Sequence, residues 1–216
     1  MKEKTGEVFS IGQDNQPVPG CTISRTVYED KEYIAYFSLA RNTDISAEIF
    51  PYHKWIFVNE GSMEVYTNDR VWSLKEGDFI RTPLDTAVGM RSYEACVYTE
   101  ISSERNTEMN EVIKTGEVYK LAELLPYQEG KIVNMDIFHN EKMKFVIMSF
   151  AAGTGLSEHG APGEAIIFAL DGEGIIRYER EDHRITAGEN FSFAKGGLHA
   201  VKAEKPFKMA LLLTLE

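Results

Sequence analysis

The chain is written in short apolar runs rather than in helical stripes. Tyr33-Ile34-Ala35-Tyr36-Phe37-Ser38-Leu39 and Lys144-Phe145-Val146-Ile147-Met148-Ser149-Phe150 are rich in aromatic and branched residues and flanked by turn formers, which predicts two strands. Trp55-Ile56-Phe57-Val58 and Ala165-Ile166-Ile167-Phe168-Ala169-Leu170 are nearly continuous apolar runs, as expected of strands buried on both faces. Each leads to an acidic-Gly pair, Glu60-Gly61 or Asp171-Gly172, that predicts a turn. An alternating strand follows it, Ser62-Met63-Glu64-Val65-Tyr66 or Gly174-Ile175-Ile176-Arg177-Tyr178. The best candidate helix surrounds Lys120-Leu121-Ala122-Glu123-Leu124-Leu125, is stopped by Pro126, and is expected to pack outside the second half. Short strands at this spacing predict an all-β sandwich or barrel.

The same unit is written twice. Lys4-Thr5-Gly6-Glu7-Val8-Phe9 recurs as Lys114-Thr115-Gly116-Glu117-Val118-Tyr119, an offset of 110 (114 − 4). Ser38-Leu39-Ala40 meets Ser149-Phe150-Ala151, Glu60-Gly61 meets Asp171-Gly172, and Gly77-Asp78 meets Gly188-Glu189, all at 111 (149 − 38). One short insertion in a turn accounts for the change of offset, and matches that otherwise hold over so long a stretch predict a duplicated domain. The polar segment Ser102-Ser103-Glu104-Arg105-Asn106-Thr107-Glu108 reads as the linker, which places the boundary at residue 110, with units 1–110 and 111–216.

Composition narrows the function. With 216 residues, 43% hydrophobic and 26% charged, the chain is long enough for one large domain or two small ones with proper cores. A net charge of −11 without a Lys/Arg block argues against nucleic acid and anionic membranes as partners. No apolar run reaches transmembrane length and no signal-peptide core follows Met1-Lys2-Glu3-Lys4, so a cytoplasmic protein is expected. Cys21 and Cys96 lie outside any Cys-x-x-Cys spacing and read as two buried free thiols, with a disulfide between them the alternative.

The chemistry gathers in the second unit. His159-Gly160-Ala161-Pro162-Gly163-Glu164 precedes one buried run, and Gly188 leads through Ala194-Lys195-Gly196-Gly197-Leu198 to His199. Two imidazoles and a carboxylate suit a divalent transition metal. These residues resemble the cupin superfamily, whose first motif pairs His-x-His with a downstream Glu and Gly, and whose second reads Gly-x5-Pro-x-Gly-x2-His. His159, Glu164 and Gly172 match the first, and Gly188, Gly196 and His199 the second; Ala161 stands at the second histidine and Ala194 at the proline.

The resemblance implies two tandem cupin-type jelly-roll barrels (a double-stranded β-helix, in a two-domain bicupin). It also implies a metal (Fe, Mn, Ni or Zn) held by His159, Glu164 and His199 facing into the second barrel. Dioxygenase, isomerase or decarboxylase chemistry on a small organic molecule is then open, with a metal-free binding or sensing module as the alternative. Moving the positions back by 111 places Glu48, Phe50, His53 and Val88 in the first unit, a poor metal site. Glu48 and His53 are expected to pair with each other or to line a ligand pocket, and Phe50, Tyr52, Trp55 and Phe57 to be core. His139 and His183 read as solvated hairpin residues, and Gly153-Thr154-Gly155 lacks the context of a phosphate loop. Jelly-roll edges need cover, so a homodimer is expected unless the two barrels cover each other.

Overall fold

In a computed structural model, which describes residues 1–215, the two apolar runs become the central strands of two sheets related by the sequence repeat. In chain order the first half carries β1 (Val8–Phe9), a single turn of helix α1 (Ile11–Asp14), β2 (Thr22–Glu29), β3 (Tyr33–Leu39), β4 (Thr43–Glu48), β5 (His53–Tyr66), β6 (Val71–Lys75), β7 (Asp78–Arg81), β8 (Val88–Ser92), β9 (Cys96–Ser103) and β10 (Glu108–Met109). The second half carries β11 (Val118–Lys120), a 3-10 turn (Leu121–Glu123), β12 (Ile132–His139), β13 (Met143–Phe150), β14 (Thr154–Gly160), β15 (Glu164–Tyr178), β16 (Glu181–Thr186), β17 (Asn190–Phe193), β18 (Leu198–Ala203) and β19 (Phe207–Thr214).

Each half is a jelly-roll barrel whose two walls share one long strand. In the first, β5 pairs with β7 and β9 on one wall and with β6 and β8 on the other. In the second, β15 pairs with β17 and β19, then with β16 and β18. The acidic-Gly pairs are therefore not turns. Each is a β-bulge, at Val58/Glu60 and Ala169/Asp171, that bends an unbroken strand from wall to wall. Gly61 and Gly172 sit there at φ 79° and 72°. A Cβ on either would lie 2.0 Å from the Ala95 or Pro206 carbonyl oxygen, so only glycine fits.

The recurring hexapeptide ends in an exchange of strands. β1 pairs with β17 of the second barrel (Val8↔Phe191), and β11 pairs with β7 of the first (Val118↔Ile80). The Ile11 N–H of α1 donates to Asn190 Oδ1 at 3.0 Å, continuing the first arm across the second barrel. The expected helix after residue 120 is only the 3-10 turn; it does pack outside the second barrel, with Leu121 buried in the core between the two. The linker is also shorter than its polar composition suggests, because Ser102 and Ser103 belong to β9 and are buried.

Side-chain alternation sorts the central strands onto two cores. Ile56 and Val58 fill the first barrel, while Ala165, Ile167 and Ala169 fill the second. Trp55, Phe57, Ile166 and Phe168 point the other way into a third core between the barrels. There Trp55 stacks on Phe138 at 4.7 Å, and Phe57 meets Phe168 edge-on at 5.5 Å. Each barrel thus covers the other's outer face with aromatic side chains. Among the described residues no helix is long and apolar enough to cross a membrane.

Candidate functional site

His159 and His199 meet at one mouth of the second barrel. β14 and β18 are antiparallel, and beyond a bulge between Leu156 and His159 the two histidines are cross-strand partners. Their ring centroids are 4.2 Å apart with planes at 52°. His199 shares the inward face of β18 with Val201 and Ala203, is only 5% exposed, and stacks on Phe193 at 4.1 Å. His159 is the solvent-side member of the pair. Tyr178 on β15 is the other cross-strand partner of His199, and its ring packs 5.5 Å from Phe193. A Cβ on Gly197 would lie 2.6 Å from the Tyr178 ring, so the glycine before Leu198 admits this wall of the site.

Both rings are oriented by the backbone. His159 Nδ1 lies 2.9 Å from the Ser157 carbonyl and His199 Nδ1 3.1 Å from the Gly197 carbonyl. A carbonyl only accepts, so each Nδ1 carries the proton and Nε2 is the nitrogen of each ring left to meet a ligand. Burial holds the His199 pKa below the usual imidazole value, opposed by the Gly197 carbonyl and reinforced by His159. A buried, neutral imidazole fixed through Nδ1 has the form taken by histidine ligands.

Glu164 does not join them. It shares a face of β15 with Ile166 and Phe168, which belong to the inter-barrel core, whereas the lumen side begins one residue later at Ala165. Its carboxylate instead accepts from the Met1 ammonium. A period of two means that a one-residue difference reverses direction, and this is the physical reason the expected third ligand is misplaced. Ala161 and Ala165, both buried, occupy the inward positions. Among the described residues no three His, Cys, Asp or Glu side chains gather as a metal-binding group.

The first barrel differs from expectation as well. Glu48 is the cross-strand partner of Val88 and is exposed, in the place that His159 holds opposite His199. His53 opens β5 on the inter-barrel face, 6.4 Å from Trp55, with its Nδ1 buried and unpartnered. The two do not form the expected pair. Burial depresses the His53 pKa against a hydrogen bond with the Arg105 backbone. The inward position falls to Lys54, whose ammonium is 3.1 Å from Glu100. Sequence reading missed this pair, although moving Ala165 back by 111 (165 − 111) points to Lys54.

Of the remaining candidates, His139 pairs with Glu108 at 3.2 Å on the surface, and His183 rests 5.0 Å from Phe191 rather than in open solvent. Both cysteines are free, but only Cys96 is buried; Cys21 is exposed. A separate groove of about 210 Å³ runs between the barrels past Phe57, Phe168 and Lys120 and includes neither histidine.

The doubled jelly roll is the fold of solved cupin-barrel proteins, and the second half of the chain matches a cupin domain. Residues 146–215, from β13 to the end of β19, match the family profile described as a cupin domain. Among solved structures, the chain is similar to a cupin 2 conserved barrel domain protein from Leptotrichia buccalis, with 26% identity, a TM-score of 0.88, and coverage of 99% of this chain and 98% of that one. Likeness in fold alone extends to a mutant salicylate 1,2-dioxygenase from Pseudoaminobacter salicylatoxidans (13% identity, TM-score 0.64, covering 84% and 70%). It extends also to an oxalate decarboxylase from Bacillus subtilis described with Mn(II) centres (11%, TM-score 0.55, covering 99% and 78%). No curated protein matches.

Proposed function

We propose that the mouth of the second barrel is the functional centre, where His159 and His199 hold a divalent transition metal through Nε2 and a small organic molecule binds beside it. The observation that carries this reading is the cross-strand histidine pair, with both Nδ1 atoms engaged by carbonyls and both Nε2 atoms left for a ligand. Fe, Mn, Ni and Zn all accept imidazole nitrogen. Such an ion would act as a Lewis acid on a substrate oxygen, which suits dioxygenase or isomerase chemistry. The chain's own contribution is orientation and exclusion of water. Phe193 and Tyr178 wall the histidines, and the small side chains of Ala161 and Ala165 leave the inward positions to substrate. The Mn(II) centres in the description of the oxalate decarboxylase neighbour agree with a metal on this fold.

A second reading follows from the donor count. With Glu164 on the opposite face, the site offers two protein ligands, and a metal-free pocket with the histidines as hydrogen-bonding groups satisfies the same geometry. Elemental mass spectrometry of protein purified without chelator separates the two. On the metal reading, the wild type carries one ion per chain, and His199→Ala or His159→Ala weakens it by at least ~100-fold, because second-shell changes alone cost about 10–100-fold. Glu164→Gln and His53→Ala keep their metal. Equal metal content in wild type and His199→Ala refutes the site and moves the assignment to the metal-free pocket.

A further inference from the structure

The first barrel holds a polar cluster that its fold does not require. Lys54 and Glu100, 4% and 1% exposed, face its interior on neighbouring strands and pair at 3.1 Å. The Tyr33 hydroxyl donates to the same Glu100 oxygen, Oε1, and lies 3.5 Å from the Tyr52 hydroxyl. Phe50, in the loop between β4 and β5, lays its ring 3.8 Å from the Lys54 ammonium. The sister barrel fills the corresponding inward positions with hydrocarbon. Ala165 replaces Lys54, Leu211 replaces Glu100 and Met209 replaces Tyr98, in the same register (Ile56↔Glu100, Ile167↔Leu211). Since one copy closes around aliphatic side chains, the ion pair in the other is not a condition of folding, and its desolvation is a net cost unless its hydrogen bonds are complete.

They are not complete. Glu100 Oε2 and the Tyr98 hydroxyl are both buried without a partner. Burial first, and the Glu100 charge second, keep Tyr98 protonated and able to donate. Unpaired buried groups of this kind call for a missing partner. Because Lys54 and Glu100 cancel each other's charge, that partner is neutral. To answer both orphaned atoms it needs a donor for Glu100 Oε2 beside an acceptor for Tyr98.

We propose that the first barrel binds, among Lys54, Glu100, Tyr33 and Tyr98 and under Phe50, a small uncharged molecule with adjacent hydrogen-bond donor and acceptor, of the hydroxyamide class. The site is independent of the histidine pair and of any metal there. Calorimetric titration of the full chain with lactamide tests it. Saturable one-site binding is expected. Sodium lactate, the same skeleton with a charge, binds at least ~10-fold more weakly. Tyr98→Phe removes only the unpartnered hydroxyl, so it melts at or above the wild type and binds lactamide at least ~5-fold more weakly, the scale of one hydrogen bond. The double variant Lys54→Met/Glu100→Leu, which restores the apolar character of the sister barrel, also folds and loses binding, while His199→Ala binds as the wild type does. Absence of saturable lactamide binding, meaning that water alone fills the cluster, overturns the proposal. So does unchanged affinity in Tyr98→Phe, or a double variant that cannot fold.

Discussion

Replacing Gly172 by alanine tests whether the bulge on β15 is what bends the barrel. Two effects add at this position. The backbone is at φ 72°, where an L side chain costs roughly 1–2 kcal/mol. The new Cβ would also stand 2.0 Å from the Pro206 carbonyl oxygen and 3.1 Å from its carbon, so the paired strands must part by about an ångström to reach ordinary contact. Forcing atoms into packed space costs a further ~1–3 kcal/mol. Gly188 supplies the control, because it has φ 88° but no neighbour within 4 Å of where a methyl group would sit. Gly188→Ala should therefore lose about 1–2 kcal/mol and Gly172→Ala about 2–5 kcal/mol. At about 2–4 °C per kcal/mol for a chain of this size, the melting temperatures should fall by roughly 2–8 °C and 4–20 °C respectively. Thermal and urea unfolding followed by circular dichroism measure both. Past the bulge, β15 carries Tyr178 to the side of His199, so Gly172→Ala should also loosen metal at the histidine pair, whereas Gly188→Ala should not. Losses of equal size in the two variants would refute the steric argument.

Two further outcomes are expected. His53 and His199 both have pKa values held below 6.5, chiefly by burial, so the unfolded chain takes up protons more readily than the folded one. Their contribution to stability is complete above about 6.5 and is lost as pH falls from there through the depressed values; a melting temperature flat between pH 8 and 5 would contradict this, and His53→Gln should flatten the slope. Burial pushes the Cys96 thiol pKa up to about 12 while Cys21 is exposed, so a disulfide-exchange reagent should titrate one thiol in the native protein and the second only on unfolding.

The duplication was legible because turn residues and the hexapeptide keep their register, and because Tyr33–Leu39 is apolar and branched enough to name its own strand. The histidine pair was legible for the same reason: glycine-bounded motifs fix where β14 and β18 come together. Direction was not. Glu164 and Ala165 are adjacent letters, and only the pairing of β15 with β19 decides which of them faces the lumen. Lys54 was hidden by the apolar run it introduces, and Glu100 by lying on a strand whose partners are distant in sequence. The acidic-Gly pairs carried the signature of a turn, but Gly61 and Gly172 spend their conformational freedom on a bulge inside a longer strand.

The exchanged arms have a consequence for how this molecule can be divided and how it can change. A cut at residue 110 would leave each half with an arm belonging to the other, and with its own outer strand uncovered at β7 or β17. Neither fragment is a finished barrel, so separate expression should give two sticky pieces that recover order only when mixed. Two identical subunits trading such arms would be bound to furnish both cavities alike, since every substitution would appear twice. Covalent fusion removes that bond. One cavity can keep imidazoles at its rim while its twin acquires an ammonium, a carboxylate and phenols, and the shared seam of Trp55, Phe57 and Phe168 holds the unlike pair together.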